Sequence, residues 1–357
     1  MPQPKATLKD IAHTLGVSTT TVHRALNGKQ GVSDEVSLQI RQLAAQMGYK
    51  TNYMASALKR KDIHFAVALP KPTLDDRYYY LNLWQGVRRF FSEITEFSAE
   101  PLEFHYPLTP DGNGMALKQI YEQHCGDISG LITIAVEHNQ SSYFLEKLAG
   151  RGVPILLIGA DMYQDLRLCC VKAYDELAGS LAAELLCSFY PRDFAETIIL
   201  TGNPTGDFPM PDQAKNAAGF EQYLRTHAPN ARILTAYSPV SHHSGNQVRA
   251  LLAQHPEVYA IYSTSARHTV QMCQVLETME LSGRIRLIGN DRFPESEEYL
   301  AKGTLSAIID KKIMKQSYQA SQILFNYVLK GEYPSSSTVY VEPSILLHSC
   351  MDFTAHG

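Results

Sequence analysis

Residues 7–61 constrain this chain more than any other stretch, because two short amphipathic segments meet there at a Gly-Val-Ser turn and a basic tail follows. From Thr7 to Leu15 the apolar residues Leu8, Ile11, Ala12 and Leu15 recur at the 3,4-spacing of one buried helical face. Thr7 is placed to cap that helix, with Asp10 three residues on in a capping-box-like start. Gly16 ends it, and Ser18 caps a second helix, Thr19 to Leu26, whose buried face is Val22, Ala25 and Leu26. Two short helices joined by a few residues that include a glycine make a helix-turn-helix. The exposed face of the second helix then carries Thr19, Thr20, His23 and Arg24. These groups can bond phosphates or base edges, and arginine can grip guanine through two hydrogen bonds. A third amphipathic helix, Ser33 to about Met47, turns Val36, Ile40, Leu43, Ala44 and Met47 inward and completes a three-helix core.

Charge divides the chain at the same place. Residues 1–61 hold nine Lys and Arg (Lys5, Lys9, Arg24, Lys29, Arg41, Lys50, Lys59, Arg60, Lys61) against Asp10, Asp34 and Glu35, a net +6. With the whole chain at −4, the remainder carries −10. A basic head on an acidic body directs a nucleic-acid surface to one end and keeps the body off the phosphates.

Residue identity in the head is specific. Thr7-Leu8-Lys9-Asp10-Ile11-Ala12, Gly16-Val17-Ser18, Thr21-Val22-His23-Arg24-Ala25-Leu26-Asn27, Gly31-Val32-Ser33 and Met47-Gly48-Tyr49, continuing through Asn52, Ala55 and Leu58, form an ungapped motif of about fifty residues. It resembles the lactose-repressor (LacI) family of bacterial transcription regulators. The resemblance implies that Thr7, Ser18, Thr21 and Asn27 hold phosphates, contacts that position a protein without reading sequence. It implies that Thr19, Thr20 and Arg24 read bases in the major groove. Asn52, Ala55 and Leu58 match the hinge helix, in which the paired leucines of a dimer wedge into the minor groove and kink the operator. Two positions depart from the family pattern. His23 stands where a serine is usual, where it either stays solvated and silent or alters a phosphate contact and makes it pH-sensitive. Thr51 replaces the proline that opens the hinge helix, so that start is less sharply defined. The expected division is a helix-turn-helix DNA-binding domain at 1–50, a hinge at 51–61 and a ligand-binding and dimerisation core at 62–357.

At 357 residues there is room for a small head and a two-lobed core. No stretch approaches the roughly eighteen continuous apolar residues of a membrane helix, and the N-terminus lacks a signal-peptide apolar run. A cytoplasmic location and no membrane partner are expected. Cys125, Cys169, Cys170, Cys187, Cys273 and Cys350 show no metal-type spacing, and most of them read as buried small hydrophobes.

Beyond Lys61 strands and helices alternate. Ile63–Pro70 reads as a buried strand and Tyr80–Ile94 as the helix after it. Ala99–Tyr106, Gly130–Ala135 and Pro154–Gly159 continue the strands, with helices at Met115–His124 and Ser142–Arg151. A second series opens with helices at Glu176–Ser188, Asp212–His227, Ser244–Gln254 and Arg267–Met279. Its strands are Glu196–Thr201, Ala231–Ser238, Tyr259–Ser263 and Arg286–Gly289. Continuous apolar strands alternating with helices mean parallel sheets covered on both faces. Two such runs give two doubly wound α/β lobes with a ligand cleft outside the carboxyl ends of their strands. This is similar, over about residues 62–345, to the periplasmic-binding-protein fold that the family uses as its sensor. The predicted fold class is therefore an all-α helix-turn-helix head on a two-lobed α/β core.

Strand ends then select cleft residues. The segment Thr73–Tyr80 follows the first strand, and Arg77-Tyr78-Tyr79-Tyr80 stands where the family often shows Asn-Pro-Phe-Phe. Tyrosine rings can stack on a pyranose and bond to it, which marks Tyr79 and Tyr80, with the reservation that one of the three rings packs into the following helix. Asp161 can accept two sugar hydroxyls. The resemblance further marks Asn216, where an arginine is usual, Ser265-Ala266 in place of Asn-Asp, the retained Asp291, and Asp310 near a position that is commonly glutamine. One arginine lost and one carboxylate gained favour a neutral polyhydroxyl ligand over an anion, with Arg77 or Arg267 able to compensate.

No catalytic pattern competes. Gly202-Asn203-Pro204-Thr205-Gly206 lacks the spacing and lysine of a phosphate loop, and there is no Gly-x-Ser-x-Gly elbow or His-Glu-x-x-His. Neither a catalytic residue, a metal nor a cofactor is expected. After Val339–Leu347 no heptad tail follows, so a homodimer is expected rather than a tetramer. The expected partners are a double-stranded operator and a sugar or polyol effector. The alternatives are a purine, a phosphorylated metabolite or a protein co-regulator on the same scaffold, and a small-molecule-binding protein with no regulatory role.

Overall fold

The computed structural model describes residues 8–26, 32–47, 63–73, 77–188, 193–203 and 213–354. The chain divides into two compact units, Met1–Lys61 with Leu329–Glu332, and Asp62–Val328 with Tyr333–Gly357.

In the first unit, α1 (Leu8–Leu15), α2 (Thr19–Leu26) and α3 (Asp34–Gln46) enclose a core of Ile11, Ala12, Val22, Ala25, Ile40 and Ala44. Leu15, Val17, Val32, Val36, Leu43 and Met47 pack around it. These are the periodic positions of the sequence, so amphipathic spacing is what assembles the head. The turn between α1 and α2 is a Schellman stop: Val17 N donates to Ala12 O at 3.0 Å and Gly16 N to His13 O at 3.4 Å, with Gly16 at φ +64°. Ser18 Oγ then accepts from Thr21 N at 3.0 Å and caps α2.

The second unit holds two six-stranded sheets. The first is ordered β11-β5-β4-β3-β1-β2, from β1 (Ile63–Pro70), β2 (Ala99–Tyr106), β3 (Ile128–Ile134), β4 (Ile155–Ile158), β5 (Cys169–Ala173) and β11 (Thr338–Val341). The second is ordered β12-β10-β9-β8-β6-β7, from β6 (Thr197–Gly202), β7 (Arg232–Tyr237), β8 (Val258–Ser263), β9 (Arg286–Asn290), β10 (Ala307–Asp310) and β12 (Ser344–Leu346). All pairings are parallel except β10 with β12. Strand β1 is buried at every position but His64, as a sheet covered on both faces requires. Each sheet reverses strand order beside its first strand, β1 or β6, and so creates a switch-point crevice at the carboxyl ends.

Helices α4 (Arg77–Glu93), α5 (Gly112–His124) and α6 (Asn139–Gly150) follow strands of the first lobe. In the second lobe lie α7 (Asp175–Cys187), α8 (Gln213–His227), α9 (Ser241–Gln254), α10 (Ala266–Thr278) and α11 (Pro294–Lys302). The chain passes between lobes three times. It crosses at Tyr174, after which α7 joins the core of the second lobe through Ala178, Ala182 and Ala183. It returns at Lys311-Lys312 into α12 (Ile313–Lys330), whose Phe325 meets Phe65 of β1. It crosses again between β11 and β12, and α13 (Ser349–Thr354) follows.

Two features differ from the sequence reading. Helix α4 starts at Arg77 rather than Tyr80, because its apolar period of Tyr80, Leu83, Trp84, Val87 and Phe91 begins one turn after its backbone does. The elements β5, α11, β10 and α12 had no counterpart in that reading. Helix α12 buries Gln316, Ser317 and Ser321 beside Ile313, Ala320 and Leu324, which blurs its apolar stripe.

Candidate functional site

On the head, Thr19, Thr20 and Arg24 of α2 are exposed and Thr21 is half-buried. Ser18 Oγ and Thr21 Oγ1 lie 2.8 Å apart, so the cap that starts the helix also holds these two hydroxyls together. His23 belongs to α2, but its side chain lies outside the described residues, as do Thr7, Asn27, Asn52, Ala55 and Leu58.

At the carboxyl ends of the first sheet, the Arg77–Tyr80 run splits into separate environments. The Tyr78 ring lies 4.5 Å from that of Phe293 in the other lobe. Tyr79 is half-buried, with its hydroxyl against Gly159, and meets Tyr80 edge to face. Tyr80 is fully buried, its hydroxyl lacks a hydrogen-bond partner among the described residues, and burial raises its pKa. Arg77 pairs with Glu295, and Asn82 Nδ2 donates to Arg292 O at 3.3 Å. Together with Tyr78–Phe293, these contacts latch α4 of the first lobe to the start of α11 in the second.

Asp161 follows β4. Its Oδ1 accepts from Arg167, whose side chain is almost fully buried, and from Thr338 Oγ1 at 3.3 Å. Arg167 also donates to Met162 O at 2.8 Å and Ser337 O at 3.3 Å, which ties the segment after β4 to β11. Burial pushes the Asp161 pKa up, but Arg167 together with the bonds from Gln164 and Thr338 outweighs it and holds the carboxyl below its ordinary range. Its capacity to accept ligand hydroxyls is therefore shared with a structural clamp.

In the second lobe, Tyr262 donates to the buried Asn216 Oδ1, and Asn290 Oδ1 lies 3.3 Å from the same hydroxyl. Asn216 Nδ2 has no hydrogen-bond partner among the described residues. Asn216 is placed by close packing of α7 on α8, where a Cβ on Gly179 would stand 1.9 Å from Asn216 O. Ser265 caps α10, and its Oγ lies 2.7 Å from His268 Nδ1. His268 Nε2 lies 2.9 Å from Ser238 O, an acceptor only, so Nε2 carries the proton and Nδ1 accepts from Ser265. Burial lowers the His268 pKa to about 4 and keeps the ring neutral.

A charged cluster lies beneath these groups where the chain changes lobes. Lys311 Nζ stands 3.8 Å from Asp175 Oδ1 and 3.7 Å from Asp291 Oδ1, while Lys172 Nζ is 3.9 Å from Asp175 Oδ2. All four side chains are buried or nearly so. Burial raises the Asp291 pKa to about 6 although Lys311 pulls it down. Asp291 sits at φ +72°, a left-handed backbone that is strained for a residue with a Cβ. Asp310, at the end of β10, accepts from Lys312 N at 2.8 Å. The cluster thus brings Asp291 together with Lys311, Asp175 and Lys172, residues that sequence reading passed over because nothing local marks a buried ion pair. Ser265 and Asp161 are instead engaged in local bonds of their own. Among the described residues no three His, Cys, Asp or Glu side chains are grouped to hold a metal, and no helix is long and apolar enough to cross a membrane.

Residues 7–52 match the model for bacterial regulatory proteins of the lacI family, and residues 116–332 match the periplasmic binding protein domain. The chain belongs to the LacI family. Among LacI-type relatives, the HTH-type transcriptional regulator DegA of Bacillus subtilis is 25% identical over 204 residues, 57% of this chain and 58% of that protein. The HTH-type transcriptional regulator MalR of Streptococcus pneumoniae is 23% identical over 77% of this chain and 80% of its own. The first of these matches spans little more than half of the relative. The fold of the core is shared with GanP, a glucose-galactose binding protein from Geobacillus stearothermophilus, at a TM-score of 0.65, 21% identity, and coverage of 81% of this chain and 99% of that one. The LacI-family head and the periplasmic-binding-protein-like α/β core agree with the fold class expected from sequence.

Proposed function

We propose that this protein is a ligand-controlled transcriptional repressor that binds a near-palindromic operator as a homodimer and takes a neutral sugar or polyol between its lobes. Two copies of α2 would enter successive major grooves, with Arg24, Thr19 and Thr20 reading bases and Ser18, Thr21, Thr7 and Asn27 on phosphates. Asn52, Ala55 and Leu58 would form the hinge, and paired Leu58 side chains would kink the operator centre. The exposed Thr19, Thr20 and Arg24 on a capped helix support that assignment.

The observation that carries the ligand reading is charge matching around the strand ends. Arg77 faces Glu295, Arg167 faces Asp161, Arg292 faces Glu297, and Lys311 faces Asp175 and Asp291. An anionic ligand would have to break one of these pairs, whereas hydroxyls can add to them. Tyr79, Asn216 and Asp291 are the proposed contacts, with Arg77, Tyr80, Asp161, Ser265 and Asp310 as neighbours that shape or support them. The glucose-galactose binding of GanP favours the same class. The role is binding rather than catalysis, since the Ser265–His268 pair spends its ring nitrogens within the protein.

Selection from random duplexes tests the DNA half: recovery of a symmetric motif supports the repressor, and no enrichment overturns it. A thermal-shift screen of neutral sugars, polyols, sugar phosphates, organic acids and purines tests the ligand half. A ligand at about 100 times its Kd stabilises a fold by roughly 2.7 kcal/mol. A neutral-sugar response supports the reading, and a response confined to phosphates or purines overturns it.

A further inference from the structure

A cavity of about 750 Å³ opens against the Lys311-Lys312 crossover, within the size range of small-molecule sites. Helices α4 and α12 of the first lobe form one side of it, and the segment from Arg292 to Glu297 of the second lobe forms the other. Phe293, Pro294, Ile313, Met314 and Tyr318 are the apolar and aromatic members of its lining.

Charge on the lining is unbalanced. Arg89 is matched by Glu93 at 3.1 Å and Arg292 by Glu297 at 2.6 Å. Lys312 and Lys315 also line the cavity, and neither joins an ion pair among the described residues. Against these two ammonium groups the lining sets one further carboxylate, Asp310, which already accepts the Lys312 backbone N–H. Lys312 is held at φ 54°, a left-handed conformation that costs a non-glycine residue free energy and that is found at ligand clamps. Gln319, on the same wall, has a buried Oε1 without a hydrogen-bond partner among the described residues.

We infer that this cavity, which lies between the lobes but is lined by residues other than the proposed sugar contacts Tyr79, Asn216 and Asp291, is a second ligand site that takes a small organic monoanion. Its acidic group lies between Lys312 and Lys315, and its apolar body rests on Phe293, Ile313 and Met314. Asn82 and Arg292, which line the cavity, are also members of the latch that joins the lobes. A ligand seated there touches both lobes, so its affinity depends on their relative placement and it biases that placement in return.

The test is a fluorescence titration of the full-length protein with 8-anilinonaphthalene-1-sulfonate, an aromatic monoanion that brightens in apolar surroundings. Saturable binding is expected, weakened about tenfold by Lys312→Gln/Lys315→Gln, as befits lost charge-assisted bonds. Gln319→Trp, which fills the cavity without changing its charge, weakens the probe to a similar degree. Lys118→Gln/Lys147→Gln makes the same charge change on α5 and α6 and leaves the affinity in place. Absence of saturable binding, unaltered affinity in either cavity variant, or an equal loss in the remote double variant overturns the inference.

Discussion

His268 and Asp291 sit in one lobe and titrate in opposite senses. The folded pKa of His268 is lowered by burial to about 4. The unfolded chain therefore takes up the proton first, and the contribution of His268 to stability is lost as pH falls from 6.5 toward about 4. Asp291 is raised by burial to about 6, so its folded form keeps the proton longer, and its contribution is lost as pH rises from 3.8 through about 6. The two trends oppose each other across the same window. Asp291→Asn is expected to gain melting temperature relative to the parent as pH rises across it, and His268→Gln to gain as pH falls. Parallel melting curves for parent and variants would refute both assignments. Arg167 makes a different kind of contribution, since its guanidinium neutralises Asp161 and reaches two carbonyls besides. Arg167→Met keeps most of the volume but strands the carboxylate, which is partly exposed and so less costly than a fully buried charge. A loss of about 2 kcal/mol in denaturant unfolding is expected, and an unchanged midpoint would show that the clamp is idle.

Elements differ in how far they can be read from sequence, and the reason is whether their cause is local. The head is legible because its helical period, its Ser18 cap and its Gly16 stop all act within a few residues. The strands are legible because a sheet covered on both faces needs continuous apolar runs. Helix α12 is not, since it packs on Gly86 of α4 so closely that Ser317 is preferred to a larger apolar residue. At the candidate site, a strand end marks Asp161, while Asp291 and Asp310 are marked by the family resemblance. The cation that answers Asp291 is Lys311 from the following crossover, and Arg77 meets Glu295 across 218 positions of chain, so no local spacing shows either pair. Two glycines separate local from tertiary causes. Gly16 has open space around a would-be Cβ, so Gly16→Ala costs only its left-handed backbone, about 1 kcal/mol. Gly179→Ala would drive a methyl into the backbone of α8, and a loss of about 3 kcal/mol is expected. Chemical denaturation of the two variants checks the order, which equal losses would contradict.

At the scale of the whole core, the latch of Arg77–Glu295, Tyr78–Phe293 and Asn82–Arg292 holds the lobes in the placement described here. Glu295→Gln removes its ionic part, a half-exposed pair worth at most about 1 kcal/mol. The proposed effector should then bind with an affinity altered about threefold, and the difference should vanish at high salt. Isothermal titration at low and high ionic strength checks this, and a salt-independent difference would mean that the pair acts through packing instead. The three passages of the chain between lobes also bear on how the protein is made. Strand β11 completes the first sheet and β12 the second, so each lobe lacks an edge strand until the segment 338–346 has been synthesised. The three-helix head closes on local contacts and can fold while still emerging from the ribosome. During translation a nascent chain would therefore carry a formed DNA-reading surface before either half of its sensor is whole.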